Sequence, residues 1–334
     1  MRKKSKNLKK HAGVGLCTKV LASGALLSAL FSITAAPVSA YSGTQGEISP
    51  AYSRALSDDD ANNYLQSVER ISRISYNLPG IPSRSLYYYK TLALSVGSVK
   101  LSEPAAVING ITYIPLRAYA NAIGASVSYN SSTRTMTLTK SGLYMTATDG
   151  GYVIYANDRP IFNFSPNVVM SNGKMYVSLS SMMKITGYRS SVDSSSVNIS
   201  GSYAPLAKAS AYYREDEVFW LGRIITAEAK GESLLGQIAV GNIILNRVNH
   251  PSYPNTIYGV VFDRKYGVQF SPTLDGSIYN TPTYTATLAA KICLEGTRLS
   301  EDALFFLNPR TAQSSWIIYN REYAYTIGGH DFYK

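Results

Sequence analysis

The spacing of apolar residues divides the chain into stretches of different character. Val20 to Ala36 is apolar apart from Ser, Thr and Gly. Residues 41–90 are rich in Ser, Tyr and Asn and read as a linker carrying one helix. Ser57-Asp58-Asp59-Asp60 suits the start of that helix, which is expected from Ala61 to Ile74 with Tyr64, Val68 and Ile71 on one face. Pro79-Gly80 and Pro82 then break it.

From 91 to 200 the chain turns strand-like and repeats itself. Asn109-Gly110-Ile111-Thr112-Tyr113-Ile114-Pro115-Leu116 recurs 63 residues later as Asn172-Gly173-Lys174-Met175-Tyr176-Val177-Ser178-Leu179. In both copies a glycine, Gly124 or Gly187, follows the Asn by 15 residues. Asn-Gly between β-prone runs is a strong hairpin signal, because both turn residues tolerate positive φ. Arg117–Ile123 and Ser180–Thr186 fit short helices ending at those glycines. Ser126–Tyr129 and Thr135–Leu138 fit the strands that follow in the first copy. The expected unit is hairpin–helix–hairpin, present in tandem.

Past a second linker at 201–213, the period becomes helical. Glu215 to Lys230 places Val218, Leu221, Ile224 and Ile225 at helical spacing. Leu235 to Val248 is apolar almost all round, the pattern of a buried helix, and its polar exceptions Asn242 and Asn246 share one face. Tyr284–Leu294 and Ser300–Phe306 read as further helices. The expected fold class is therefore α+β: a tandem β-hairpin/helix repeat domain over 91–200, then a mostly helical domain over 214–334.

Composition changes this picture in two places. A net charge of +11 suggests a polyanion partner, yet Arg2, Lys3, Lys4, Lys6, Lys9, Lys10 and Lys19 supply seven of it, leaving about +4 for the rest. Those cations, the apolar run and Val38-Ser39-Ala40 together read as a secretory signal over 1–40, with an uncleaved anchor as the alternative. No later stretch reaches the roughly 18 apolar residues of a membrane span, so no membrane partner is expected once the signal is removed, and the small remaining charge leaves no nucleic-acid partner expected either. Outside the signal only His250, His330 and Cys293 remain of the His and Cys residues. That scarcity leaves no intrachain disulfide and no zinc-ligand cluster, and H-E-x-x-H, G-x-S-x-G, GxGxxG and GxxxxGK[ST] are all absent. Neither a metal nor a cofactor is expected.

The segment 91–200, with N-G-x-x-Y-[IV]-P-L-R strongest in its first copy, resembles the copper amine oxidase N-terminal-like domains of secreted bacterial surface proteins. The second copy departs from the pattern at Ser178 and Ser180, where the first has Pro115 and Arg117. The segment holds no His or Cys, so copper ligation is not expected of it. The resemblance implies a part that holds or targets the chain at the cell wall, or serves as a spacer.

Glu228 stands at the end of an apolar helix in Ala227-Glu228-Ala229-Lys230-Gly231-Glu232. Apolar surroundings raise a carboxyl pKa toward neutrality, although a Glu at a helix end is more commonly just solvated. The flanking text decides between these. Ala227–Glu232, Gly236–Val240, Leu245–Val248, Gln269–Pro272 with Asp275-Gly276, Ala303–Phe306 with Asn308-Pro309, and Ile327–Tyr333 resemble the SleB/CwlJ-type cell-wall hydrolases. The resemblance runs from about 216 to 334 and implies a lysozyme-like domain cutting peptidoglycan glycan strands, with the catalytic acid on Glu228. Thr226-Ala227 departs from the aromatic or Gly of many relatives, which puts the site floor in question.

A second carboxylate is harder to find. Glu232 would project from the same helix face as Glu228, unlike a glycosidase pair that flanks the bond, and Gly231 is expected to end the helix first. Asp275 sits better but equally suits a turn before Gly276. One acid is what a lytic transglycosylase needs, and the resemblance implies that activity: Glu228 acts as acid and then base on the N-acetylmuramic acid–N-acetylglucosamine bond. Gln269, Ser271 and Tyr279 are candidate hydrogen-bond donors to the glycan, and Trp316 or Phe270 candidates to pack on a sugar ring, against core packing for each aromatic. His330 reads as structural. The expected partners are peptidoglycan strands, as cell-wall or spore-cortex polymers, met outside the cell. The alternatives are a non-catalytic wall-binding protein and a peptidoglycan hydrolase of muramidase or amidase type.

Overall fold

The computed structural model describes residues 89–265, 267–312 and 314–334, and these fall within one compact unit. The export segment and the helix expected over Ala61–Ile74 lie outside the described residues. Among the described residues no helix is long and apolar enough to cross a membrane. The fold is mixed α+β, β-rich up to residue 200 and largely helical after it.

The β-rich part opens with β1 (Tyr89–Val96), β2 (Val99–Lys100), β3 (Ala105–Ile108), β4 (Ile111–Pro115) and α1 (Leu116–Ala122). A meander follows: β5 (Ser126–Asn130), β6 (Thr135–Lys140), β7 (Leu143–Thr148), β8 (Val153–Ala156) and β9 (Arg159–Phe162). Then come β10 (Val168–Ser171), β11 (Lys174–Ser178), α2 (Leu179–Thr186), β12 (Arg189–Val192) and β13 (Ser196–Ser200). Both Asn-Gly pairs turn hairpins as their chemistry dictates, with φ of 49° and 82° at Asn109 and Gly110, and 49° and 72° at Asn172 and Gly173. The two look-alike strands β4 and β11 pair with one another, antiparallel, Val177 opposite Ile114. They lie inside the β10 edge of a sheet ordered β10-β11-β4-β3-β1-β13-β12, with β2 pairing to β1. The five meander strands form a second sheet. Leu94, Ile114, Tyr119, Leu138, Met182 and Ile199 are buried in the core these elements share.

The helical part contains α3 (Ala209–Tyr212), α4 (Glu215–Ala229), α5 (Leu234–Asn249), α6 (Ile257–Val261), α7 (Pro272–Asp275), a 3₁₀ turn (Ser277–Tyr279) and α8 (Tyr284–Leu294). It ends in β14 (Phe305–Leu307), α9 (Trp316–Asn320), β15 (Tyr323–Ile327) and β16 (His330–Tyr333), the strands ordered β14-β16-β15. Glu215, Asp216 and Glu217 fill the first turn of α4, where negative charge suits the helix dipole. Every residue of α5 from Leu234 to Arg247 is buried, as its all-round apolar pattern requires.

The helix expected over Ser300–Phe306 does not form. Asn246 Nδ2 donates to the carbonyls of Ser300 and Ala303, both at 2.9 Å, and Arg247 Nε donates to that of Leu304 at 2.7 Å. Phe305 and Phe306 pair with Tyr333 and Phe332 of β16 instead. Side chains from α5 thus take the carbonyls that a helix would have used.

The two parts are firmly joined. Tyr152 and Val153 of the β-rich part are buried in the helical core. Beside them the Arg159 guanidinium makes a two-pronged bond to the Glu295 carboxylate, 2.7 Å and 2.9 Å, with both side chains buried. Tyr213 Oη donates to the same carboxylate at 2.6 Å, and Lys184 lies 3.0 Å from it. Residues 201–208 lie along the β-rich part, with Ala204 N–H donating to Thr186 O at 2.9 Å and Leu206 N–H to Ile185 O at 3.0 Å.

Candidate active site

Glu228 occupies the last turn of α4, just before the chain leaves the helix at Lys230. Its stripe on α4 continues from Leu221 and Ile225, both fully buried, so the side chain starts from the apolar face and is itself half-buried. Burial raises its pKa, the Asp275 carboxylate adds to the rise, and the Arg247 guanidinium opposes it, leaving the group at about 7. A carboxyl poised there holds a proton to give at neutral pH and a base to receive one afterward.

Three elements converge on this end of α4. Thr226 Oγ1 donates to Gly222 O at 2.8 Å and accepts from Thr283 N–H at 3.0 Å, tying α4 to the start of α8. Arg223 Nη1 reaches Ile278 O at 3.4 Å, tying α4 to the 3₁₀ turn. Asp275 precedes that turn and is exposed; the Ser277 hydroxyl, and then the Ser277 N–H that donates to its Oδ1 at 2.8 Å, hold its carboxyl below the usual range. It is a charged neighbour of Glu228 and a turn residue at once.

Arg247 comes from α5 and was legible only as a motif residue. Its guanidinium is buried against the rings of Tyr253, Phe270 and Phe305, at 5.0, 5.2 and 5.5 Å, and Nη1 has no hydrogen-bond partner. Burial lowers its pKa, while Tyr253, Asp263 and Glu228 raise it. Nothing in its local sequence marked it as the counter-charge of Glu228.

The other candidates divide. Gln269 is half-buried and donates through Nε2 to Gly267 O at 3.2 Å. Ser271 is exposed, and its carbonyl accepts from Leu274 N–H at 2.8 Å at the start of α7. Tyr279 is 60% exposed at the end of the 3₁₀ turn. Phe270, expected as a possible sugar platform, is instead 3% exposed in the helical core beneath Arg247, where no sugar ring can reach its face. Trp316 is exposed on α9; its ring neighbour is the Arg321 guanidinium at 5.0 Å, from its own segment.

Glu232 faces elsewhere. Its oxygens lie 3.3 and 3.2 Å from the N–H of Gly329, and Oε1 is 3.5 Å from His330 Nδ1. His330, on β16, is packed on Phe306 and Phe332; burial lowers its pKa, with Glu232 and Asp331 opposing.

Residues 231–333 match the family described as Cell Wall Hydrolase, a match that starts just after Glu228. A spore cortex-lytic enzyme from Bacillus cereus is 38% identical over 122 residues, 36% of this chain and 46% of that protein. One from Bacillus subtilis is 38% identical over 120 residues, 36% of this chain and 38% of that protein. Among solved structures, the catalytic domain of the germination-specific lytic transglycosylase SleB from Bacillus anthracis is 38% identical, covering 36% of this chain and 97% of that one, with a TM-score of 0.34. The C-terminal part of the chain carries a cell wall hydrolase domain. The cell wall hydrolase domain is preceded by residues 95–200, which match the Copper amine oxidase N-terminal domain. The chain spans less than half the length of these curated relatives.

Proposed function

We propose that this chain is an exported lytic transglycosylase that cuts peptidoglycan between N-acetylmuramic acid and N-acetylglucosamine. The observation that carries this reading is the Glu228 carboxyl, half-buried at the end of α4 and raised to about 7 between Arg247 and Asp275. Glu228 gives its proton to the glycosidic oxygen as the bond to muramoyl C1 breaks. The Glu228 carboxylate then takes the proton of the muramoyl C6 hydroxyl while that oxygen bonds to C1. The products are a 1,6-anhydromuramoyl end and a free sugar hydroxyl, and Glu228 is protonated again. No water is consumed and no second carboxylate is needed, which suits the engagement of Glu232 with Gly329.

Gln269 and Ser271, on the loop leading to Asp275, are proposed to hydrogen-bond the glycan, and Trp316 to pack on it. The domain is proposed to be lysozyme-like. The β-rich part, read as tandem copies of one hairpin–helix–hairpin unit, is proposed to hold the enzyme in the wall or spore cortex. The relatives' names as spore cortex-lytic enzymes favour the cortex. The test is clearing of purified sacculi by the wild type and by Glu228→Gln: the reading requires a loss of at least roughly a hundredfold, the scale of general acid catalysis. Full clearing by the variant would overturn it.

A further inference from the structure

The aromatic residues that share α4 with Glu228 form a surface that the cleavage chemistry leaves unused. Trp220 lies about 12 Å along the helix from Glu228 at 1.5 Å per residue. Its ring packs edge-to-face on Tyr258 and Phe262, at 5.2 and 5.3 Å, and stands 6.4 Å from Tyr279. Phe262 closes the group, 4.6 Å from Tyr258 and 6.4 Å from Tyr279. Trp220 and Phe262 continue inward onto the helical core. Tyr258 and Tyr279, by contrast, remain 52% and 60% exposed. Tyr279 ends the 3₁₀ turn that Arg223 ties to α4, so this surface adjoins the Glu228 end of the helix.

We propose that Tyr258 and Tyr279, braced by Trp220 and Phe262, form a pyranose-stacking subsite that holds the glycan strand away from the scissile bond. This rests on the glycan-cleaving reading above. A pyranose presents an apolar C–H face and carries its hydroxyls around the rim, so it covers an aromatic ring without stranding polar groups. The exposed rings are already packed on the half-buried Trp220 and Phe262, so little conformational freedom is lost when a sugar docks. Among the described residues no hydrogen bond uses the hydroxyls of Tyr258 or Tyr279, which leaves them for the sugar rim. The adjacent cation, Arg223, is already spent over the rings of Phe219 and Trp220, at 4.1 and 5.7 Å.

The test measures cosedimentation with insoluble sacculi in the Glu228→Gln background, so that binding is read without cleavage. Tyr258→Ala with Tyr279→Ala is expected to weaken binding roughly 3- to 10-fold, the scale of an exposed ring contact. Tyr258→Phe with Tyr279→Phe is expected to restore most of it, because the ring faces are kept and only the rim hydroxyls are lost. In the active enzyme the Ala pair raises KM by the same factor and leaves kcat in place. Both pairs alter exposed side chains, and thermal melts check that they fold. Unchanged binding overturns the subsite, and so does a Phe pair as weak as the Ala pair. A dimer lost in the Ala pair with binding intact would assign the surface to a second copy and also overturn it. Failure of the wild type to cleave glycan would instead overturn the underlying reading, and the binding assay keeps the two apart.

Discussion

The carboxylate of Glu232 grips the backbone N–H of Gly329, with its two oxygens 3.3 and 3.2 Å away. This contact joins the α4–α5 corner to the tight turn between β15 and β16, and it engages both oxygens of the Glu232 carboxylate. The fit is close: Gly328 has φ of 59°, and a Cβ there would collide with Glu232 Oε2.

Glu232→Gln keeps an acceptor for Gly329 N–H but removes its charge, so it is expected to cost about 1 kcal/mol, the difference between a charged and a neutral acceptor, while kcat stays near wild type. Gly328→Ala should cost at least as much, since a side chain at positive φ costs about 1–2 kcal/mol and the carboxylate must also move. Denaturant unfolding and sacculus digestion on the same preparations measure both. A Glu232→Gln protein of unchanged stability that has lost cleavage would make Glu232 a second catalytic carboxylate.

The pH–rate profile should report Glu228 directly. If Glu228 is the acid of the proposed reaction, cleavage requires its protonated form, and kcat/KM is expected to fall about tenfold per pH unit above the break near 7. Asp275→Asn removes a like charge and moves the break down; Arg247→Met removes an opposing one and moves it up. Shifts in the same direction, or none, would contradict the assigned surroundings.

A carboxyl whose pKa is raised by burial weakens the fold. The native state keeps the Glu228 proton up to about 7, whereas the unfolded chain loses it near the ordinary value of 4.5. Stability from this group is therefore full at low pH and declines as pH rises from about 4.5 through 7. Glu228→Gln should be more stable than wild type by roughly 1–3 kcal/mol at pH 8 and equal to it near pH 4. Unfolding curves at the two pH values check this.

Much of this was legible where local chemistry decides structure. The Asn-Gly turns, α4 and α8 follow from residues within a few positions of one another. Ser300–Phe306 was misread because Asn246 and Arg247, distant in sequence, claim its carbonyls. Arg159 and Glu295 are 136 residues apart, and no local pattern announces that they meet. Glu228 could be singled out from its motifs, but the charges that set its pKa come from α5 and from the Asp275 turn. Phe270 looked available in a loop, and only the three-dimensional packing reveals that Arg247 lies over it.

The joint between the two parts should be costly to break. Burial pushes the Glu295 carboxyl up, but Arg159, Tyr213 and Lys184 outweigh it and hold the pKa below the ordinary value. Its contribution is thus present at neutral pH and fades as pH falls through the carboxylate range. Glu295→Ala leaves Arg159 buried without a counter-charge, so a loss of about 3–5 kcal/mol is expected at pH 7 and a smaller one in acid. Denaturant titrations of both proteins test this, and equal losses at the two pH values would contradict it.

Mass spectrometry of peptidoglycan digested to completion tests the central claim most directly. If Glu228 acts as acid and then base on a substrate that supplies its own nucleophile, the new ends are 1,6-anhydromuramoyl and carry no oxygen from isotopically labelled water. Reducing muramic acid ends bearing that label would mean that water attacks C1, and would contradict the account.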